Sequence, residues 1–302
     1  MSWNEYTAAR PSSLYQKNLE DTYYMIQVDL FTDIMVRKGI FEDSERNPFR
    51  NWSMLIMPYS TGDFHCGTGD FPYTAQDGSR RVCRHHGYTN FHTVLNSVIP
   101  MIPKPENLVV CGCSGGGFGA ALLTDSILAR YPDCGNVTCL VDSGFFPMND
   151  WRQIAEKVWH APVEITKRIQ TDNITLDVLQ ALKREHGERV KILLSSSPKD
   201  GALARMMNLT VNGKFAFSKE SGEMLKAWLN KMMDAVEATI SGTGMYFFNV
   251  PDKAQKGMDL TIHCIIGDRV VYENKTEGIT CARWLMDAVN GNVRTYGRNL
   301  LI

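Results

Sequence analysis

The sequence predicts an α/β protein: a mostly parallel sheet with helices on both faces. Three observations point there. Short apolar runs alternate along the chain with longer stretches of helical periodicity. A glycine-rich turn, Gly112 to Gly117, joins one such run to one such helix. The 302 residues are 44% hydrophobic, enough to bury a large core in one domain over 1–302.

The elements follow in order. Trp52 to Tyr59 reads as a buried strand, and Thr89 to Ile99 as a helix. Asn107 to Cys113 is apolar and short, the pattern of a strand covered on both faces. Phe118 to Tyr131 carries apolar residues at helical spacing. Asn136 to Asp142 and Val190 to Ser196 repeat the strand pattern, with His186 at the end of the helix between them. A long helix near Gly222 to Ile240 precedes the last clear strand, Met245 to Val250. In open sheets of this kind chemistry collects at the carboxyl ends of the strands. Asp63, Ser114, Asp142, Asp200 and His263 all fall at or shortly after such ends.

The turn carries the most specific signal. Gly112-Cys113-Ser114-Gly115-Gly116 is G-x-S-x-G between a strand and a helix, the nucleophile elbow of an α/β hydrolase. Its flanking positions must be small, because the turn is strained and the helix backs closely onto the strand. Ser114 then sits at a helix N-terminus, where N–H groups and the dipole favour negative charge. The alternative, a phosphate-binding loop, needs Lys and Ser/Thr after its last glycine, and Gly117 is followed by Phe118-Gly119.

A serine hydroxyl needs an imidazole to take its proton and a carboxylate to orient that imidazole. In α/β hydrolases the order is Ser, Asp or Glu, His. His160, His186 and His263 follow Ser114. His160 and His186 lie in polar, helical surroundings, whereas His263 lies in a loop after the last strand. Asp200, where a strand runs into a loop, is the favoured acid. Asp142, one strand nearer the elbow, is the alternative, and its other role is to brace the elbow and the loops around it. The Gly115 N–H is the evident oxyanion donor. Asp63, Tyr88, Phe145 and Phe146 are candidates for the substrate pocket, with ordinary core packing as the other reading of the two phenylalanines.

The bulk properties exclude several classes. Net charge is -1, which speaks against a nucleic-acid or polyanion partner. No apolar run approaches the length of a membrane span. Met1-Ser2-Trp3-Asn4-Glu5 does not read as a signal peptide, and the compartment stays open. The 8 cysteines include no C-x-x-C, and Cys83 with His85-His86 lacks a second half, so no metal and no cofactor is expected.

A family resemblance adds to this. Gly39-Ile40-Phe41, Asn47-Pro48-Phe49, Trp52, Pro58 to His65, His86 to Asn90, Gly112 to Gly116, Asp142-Ser143-Gly144 and His263 occur in the order seen in the pectin acetylesterase/Notum family of serine esterases. The chain resembles its bacterial members over residues 39 to 290, more specifically in the first half. The resemblance implies an esterase that removes acyl groups, often acetyl from polysaccharide, with Ser114, Asp200 and His263 at the triad positions. It also implies a Glu-Gly-Gly-Gly loop ahead of Gly39 supplying half the oxyanion hole, yet no glycine precedes Gly39. Residues 1–38 match poorly, and the expectation is a chain truncated there, lacking the first strands, or a hole built otherwise. Ser60 stands where relatives often have Cys, which removes one disulfide.

Two readings follow. One is an active serine esterase acting on an acylated carbohydrate or small ester. The other is a non-catalytic or impaired binding member of the same fold.

Overall fold

The computed structural model describes residues 1–4, 7, 37–75, 77–102, 104–255 and 257–302. The poorly matched segment 1–38 therefore lies largely outside the described residues.

Four strands make the central sheet: β3 (Asn107–Cys113), β4 (Asn136–Asp142), β5 (Val190–Ser196) and β6 (Thr243–Phe247). They are parallel and stand side by side in chain order. Right-handed crossovers between parallel strands in that order put every connecting helix on one face. These helices are α2 (Gly115–Leu128), α3 (Trp151–Lys157), α4 (Val163–Thr166), α5 (Ile174–His186), α6 (Gly201–Asn212) and α7 (Lys219–Thr239). The other face is covered late in the chain, by α9 (Cys281–Val289), with α8 (Val270–Glu273) packed against it.

Burial follows the pleat. Along β4 and β5, Cys139, Val141, Ile192 and Leu194 point into the cluster under the connecting helices, while Leu140 and Leu193 point into the cluster under α9. Met245 and Phe247 alternate with Tyr246 and Phe248 in the same way. A strand apolar on both faces needs both covers, which explains why these segments lack a polar alternation. Helix ends are set locally. Asn173 and Ser218 accept from Leu176 N and Ser221 N at the starts of α5 and α7. Gly187, at φ 56°, ends α5 just after His186.

The structure departs from the sequence expectation in several places. Trp52 to Tyr59 forms no strand among the described residues, and Met54 and Leu55 are 43% and 38% exposed. An apolar run signals burial, but a strand also needs a neighbour to pair with, and no described segment pairs with this one. His160 lies in a loop after α3, at φ 52°, and not in a helix. Two small antiparallel hairpins escaped the sequence reading: β1 (Gly69–Thr74) with β2 (Arg80–His85), and, late in the chain, β7 (Lys275–Thr276) with β8 (Ile279–Thr280). The first hairpin leads into α1 (Gly87–Val98).

Candidate active site

The Gly112 to Gly117 turn joins β3 to α2. Ser114 is the residue between β3 and α2, at φ 56° and ψ -124°, a conformation that costs a non-glycine residue about 1–3 kcal/mol. Its N–H donates to Asp142 O at 2.8 Å, and its carbonyl accepts from Gly117 N at 2.9 Å. Space explains the glycines. A Cβ at Gly112 would lie 2.0 Å from Gly116 O, and one at Gly117 would lie 2.9 Å from Gly144 Cα. Gly116, by contrast, has nothing within 4 Å. The last glycine of G-x-S-x-G is thus not the crowded one; Gly117 is, against Gly144 of the Asp142-Ser143-Gly144 motif. The Gly115 N–H is among the first donors of α2, which have no acceptor within the helix. The Tyr59 ring packs over Gly115, 2.6 Å from where a Cβ would stand.

His263 and Asp200 meet. Nδ1 of His263 lies 2.7 Å from Asp200 Oδ2, across 63 residues of sequence. Asp200 is fully buried, and its other oxygen accepts from Leu203 N at 2.9 Å, capping α6. The two loops are aligned by Thr261, whose N–H donates to Lys199 O at 2.7 Å and whose carbonyl accepts from Gly201 N at 3.1 Å. That bridge, two residues before His263, carries no sequence signal.

Burial alone would lower the His263 imidazole, but the Asp200 charge and hydrogen bond, with smaller contributions from Cys113 and Asp142, outweigh it and raise it to about 9. Interaction with the Cys264 thiol lowers the Cys113 thiol. Among the described residues, Ser114 Oγ makes no hydrogen bond.

The other candidates are placed as follows. Asp142 does not meet His263. Its Oδ2 accepts from Ile265 N and Ile266 N at 2.7 and 3.0 Å, and its Oδ1 from Ser195 Oγ at 2.8 Å. Burial pushes its carboxyl up to about 6, against the pull of those hydrogen bonds. Asp63 is not a pocket wall but a buried knot. It accepts from Thr61 Oγ1, His65 N, Gly67 N and Gly87 N. Phe145 and Phe146, 0% and 3% exposed, belong to the core under the connecting helices, so they correct the acyl-pocket expectation. The segment after β4 packs Gly144 against Gly117 of α2 and carries the two rings into that core. Tyr88 is half-buried on α1 and donates to Glu164 Oε1 at 3.0 Å. Two clefts of about 320 and 370 Å³ contain none of Ser114, Asp200 or His263.

Asp125, Glu185 and His186 bring three ligand-type atoms within 4.8 Å of one another. Arg168 already bridges Asp125, at 2.8 Å, and Glu185. Its guanidinium takes the place a cation would fill. All 8 cysteines are free thiols.

Residues 26–181 match the pectinacetylesterase family. The chain belongs to that family. It is a family of acyl esterases, so the chain is of the carboxylesterase/deacetylase kind. The fold has counterparts among solved structures. Two crystal forms of the Wnt deacylase Notum from Drosophila are similar to this chain at TM-scores of 0.57 and 0.56, each with 18% identity. They cover 84% and 85% of this chain, and 73% and 74% of their own length is matched. At that identity they show the α/β-hydrolase fold alone. Among the described residues no helix is long and apolar enough to cross a membrane.

Proposed function

We propose that this chain is a serine carboxylesterase that removes an acyl group, acetyl in the simplest case, from a carbohydrate ester such as pectin. Ser114 is the nucleophile, His263 the general base, and Asp200 the orienting acid. The observation that carries this reading is the 2.7 Å contact between His263 Nδ1 and a buried Asp200 carboxylate, together with a serine held at positive φ between a strand and a helix.

The chemistry follows from these positions. With Nδ1–H held by Asp200, the lone pair of His263 is on Nε2, the nitrogen that accepts the Ser114 proton. Ser114 Oγ attacks the ester carbonyl carbon, and the carbonyl oxygen becomes an oxyanion. The Gly115 N–H stabilises that charge, a contact worth about 2.7–4 kcal/mol when it forms only in the transition state. Collapse breaks the bond to the alcohol oxygen, which takes the proton from His263. Water then attacks the acyl-enzyme by the same route, releasing the carboxylic acid.

A fluorophosphonate tests the nucleophile, with the adduct mapped by mass spectrometry. A label on Ser114, together with release of acetate from acetylated pectin fragments, is expected. A label on another serine overturns the assignment. The unpartnered Ser114 Oγ favours a second reading, an acyl-carbohydrate binding protein of the same fold. Saturable binding of acetylated fragments with no labelling and no acetate release selects it. Catalytic hydrogen bonds are often loose in unliganded esterases and tighten with substrate, so the first reading is preferred.

A further inference from the structure

We propose that Asp142 is the positioning residue of this site: it clamps the Ser114 turn to the His263 loop and bears on the imidazole through its charge. The proposal rests on the reading of Ser114, His263 and Asp200 given above.

Asp142 ends β4, directly beside Cys113 at the end of β3. Its main-chain carbonyl accepts from Ser114 N at 2.8 Å and from Cys264 Sγ at 3.8 Å. Its Oδ2 accepts from Ile265 N and Ile266 N, and its Oδ1 from Ser195 Oγ. One fully buried residue therefore takes donors from the elbow, from the three residues that follow His263, and from β5. Ile265 and Ile266 are 0% and 2% exposed, so their N–H groups have no route to water if the carboxylate is removed. An alanine here would release the His263 loop on the side opposite to the Thr261 bridge.

A carboxylate does more than hold position. Asp142 is one of the groups that raise His263, together with Asp200 and Cys113. Cys264 on the same loop, Cys111 and Cys113 on β3 and Cys281 at the start of α9 also feel its charge. Asparagine separates the two roles. Its oxygen can accept both N–H groups and its amide can donate to Ser195 Oγ, whose hydroxyl rotates to accept. The clamp persists and the charge is gone.

The experiment compares wild type, Asp142→Ala and Asp142→Asn for kcat, KM and melting temperature on p-nitrophenyl acetate across pH. Asp142→Ala is expected to lose about 100-fold in kcat at similar KM, the scale of a misplacement near 1 Å. Asp142→Asn should recover most of that loss. The acid limb of its kcat/KM profile should move to lower pH, because removing a nearby negative charge lowers the His263 pKa. A purely structural brace would not move that limb. Near-wild-type kcat in Asp142→Ala overturns the proposal, as does an Asn variant as impaired as the Ala one with an unmoved limb. If the Ala variant does not fold, the limb of Asp142→Asn decides. Failure of the underlying triad looks different: Asp200→Asn would stay active, or Asp142→Asn would fall by about 10⁴-fold, the cost of losing the orienting acid.

Discussion

Ser114 holds a backbone conformation, φ 56° and ψ -124°, that glycine adopts without cost and serine does not. The proposed nucleophile thus carries strain, and Ser114→Gly is expected to unfold later than Ser114→Ala by about 1 kcal/mol in denaturant titration. Both should be inactive. The second test at this scale is Asp200→Asn. Asparagine keeps an oxygen for Leu203 N, so the start of α6 stays capped. It cannot hold His263 in the same tautomer, and kcat should fall by about 10⁴-fold with little change in melting temperature. The third is pH. His263 raised to about 9 is protonated at neutral pH, and only its neutral form accepts the serine proton. Hydrolysis rates should therefore climb as pH rises through about 9. The linkage to stability has the opposite sign. A base whose folded pKa lies above its unfolded value contributes stability that is full below pH about 6.5 and lost as pH rises through about 9. A flat rate profile between pH 7 and 10 would remove the imidazolium from the resting enzyme.

At the scale of elements, the close approach of α2 to β3 and to the loop after β4 sets which glycines matter. Gly112→Ala would drive a Cβ to 2.0 Å from a backbone oxygen that no side-chain rotation can relieve. It should cost roughly 1–3 kcal/mol or more, as overpacking does, and distort the elbow. Gly116→Ala meets nothing within 4 Å and replaces the poorer helix former by the better one. Its melting temperature should be unchanged or higher, by up to about 1 kcal/mol of stability. Parallel thermal melts of the two variants check the contrast. The pattern G-x-S-x-G treats both positions alike; the packing does not. A similar gap separates the apolar run at Trp52 to Tyr59 from the strand it suggested, since hydrophobicity is written locally and strand pairing is not.

For the molecule as a whole, the sheet is a two-sided core, and the side chains that brace the site are continuous with it. Phe145 lies in the cluster that also contains Phe118, Trp151 and Trp159. Phe145→Ala is therefore expected to lose about 3–5 kcal/mol of stability, measured by denaturant unfolding. Its KM for short and long acyl esters should change in parallel. A selective loss on long acyl chains would restore Phe145 to the acyl pocket.

The sequence by itself determined the family, the strand-to-helix turn at Ser114, the α/β alternation and the four strands of the parallel sheet. The family rests on the order of its quoted motifs; the strands, helices and turn rest on short-range patterns: short apolar runs, helical spacing, and sterics within five residues. The chain order of the proposed triad, Ser114, Asp200, His263, was an expectation from where strands end. Asp200 was favoured over Asp142 as the carboxylate facing His263 on element order alone, and the contact itself is a matter of tertiary structure. The choice hangs on the path of a loop that Thr261 ties to Lys199 and Gly201, and that Asp142 holds through Ile265 and Ile266. The burial of Asp63, Phe145 and Phe146 was decided in the same way. A side chain's neighbours across tens of residues depend on how loops pack over the sheet, and no local pattern encodes that packing.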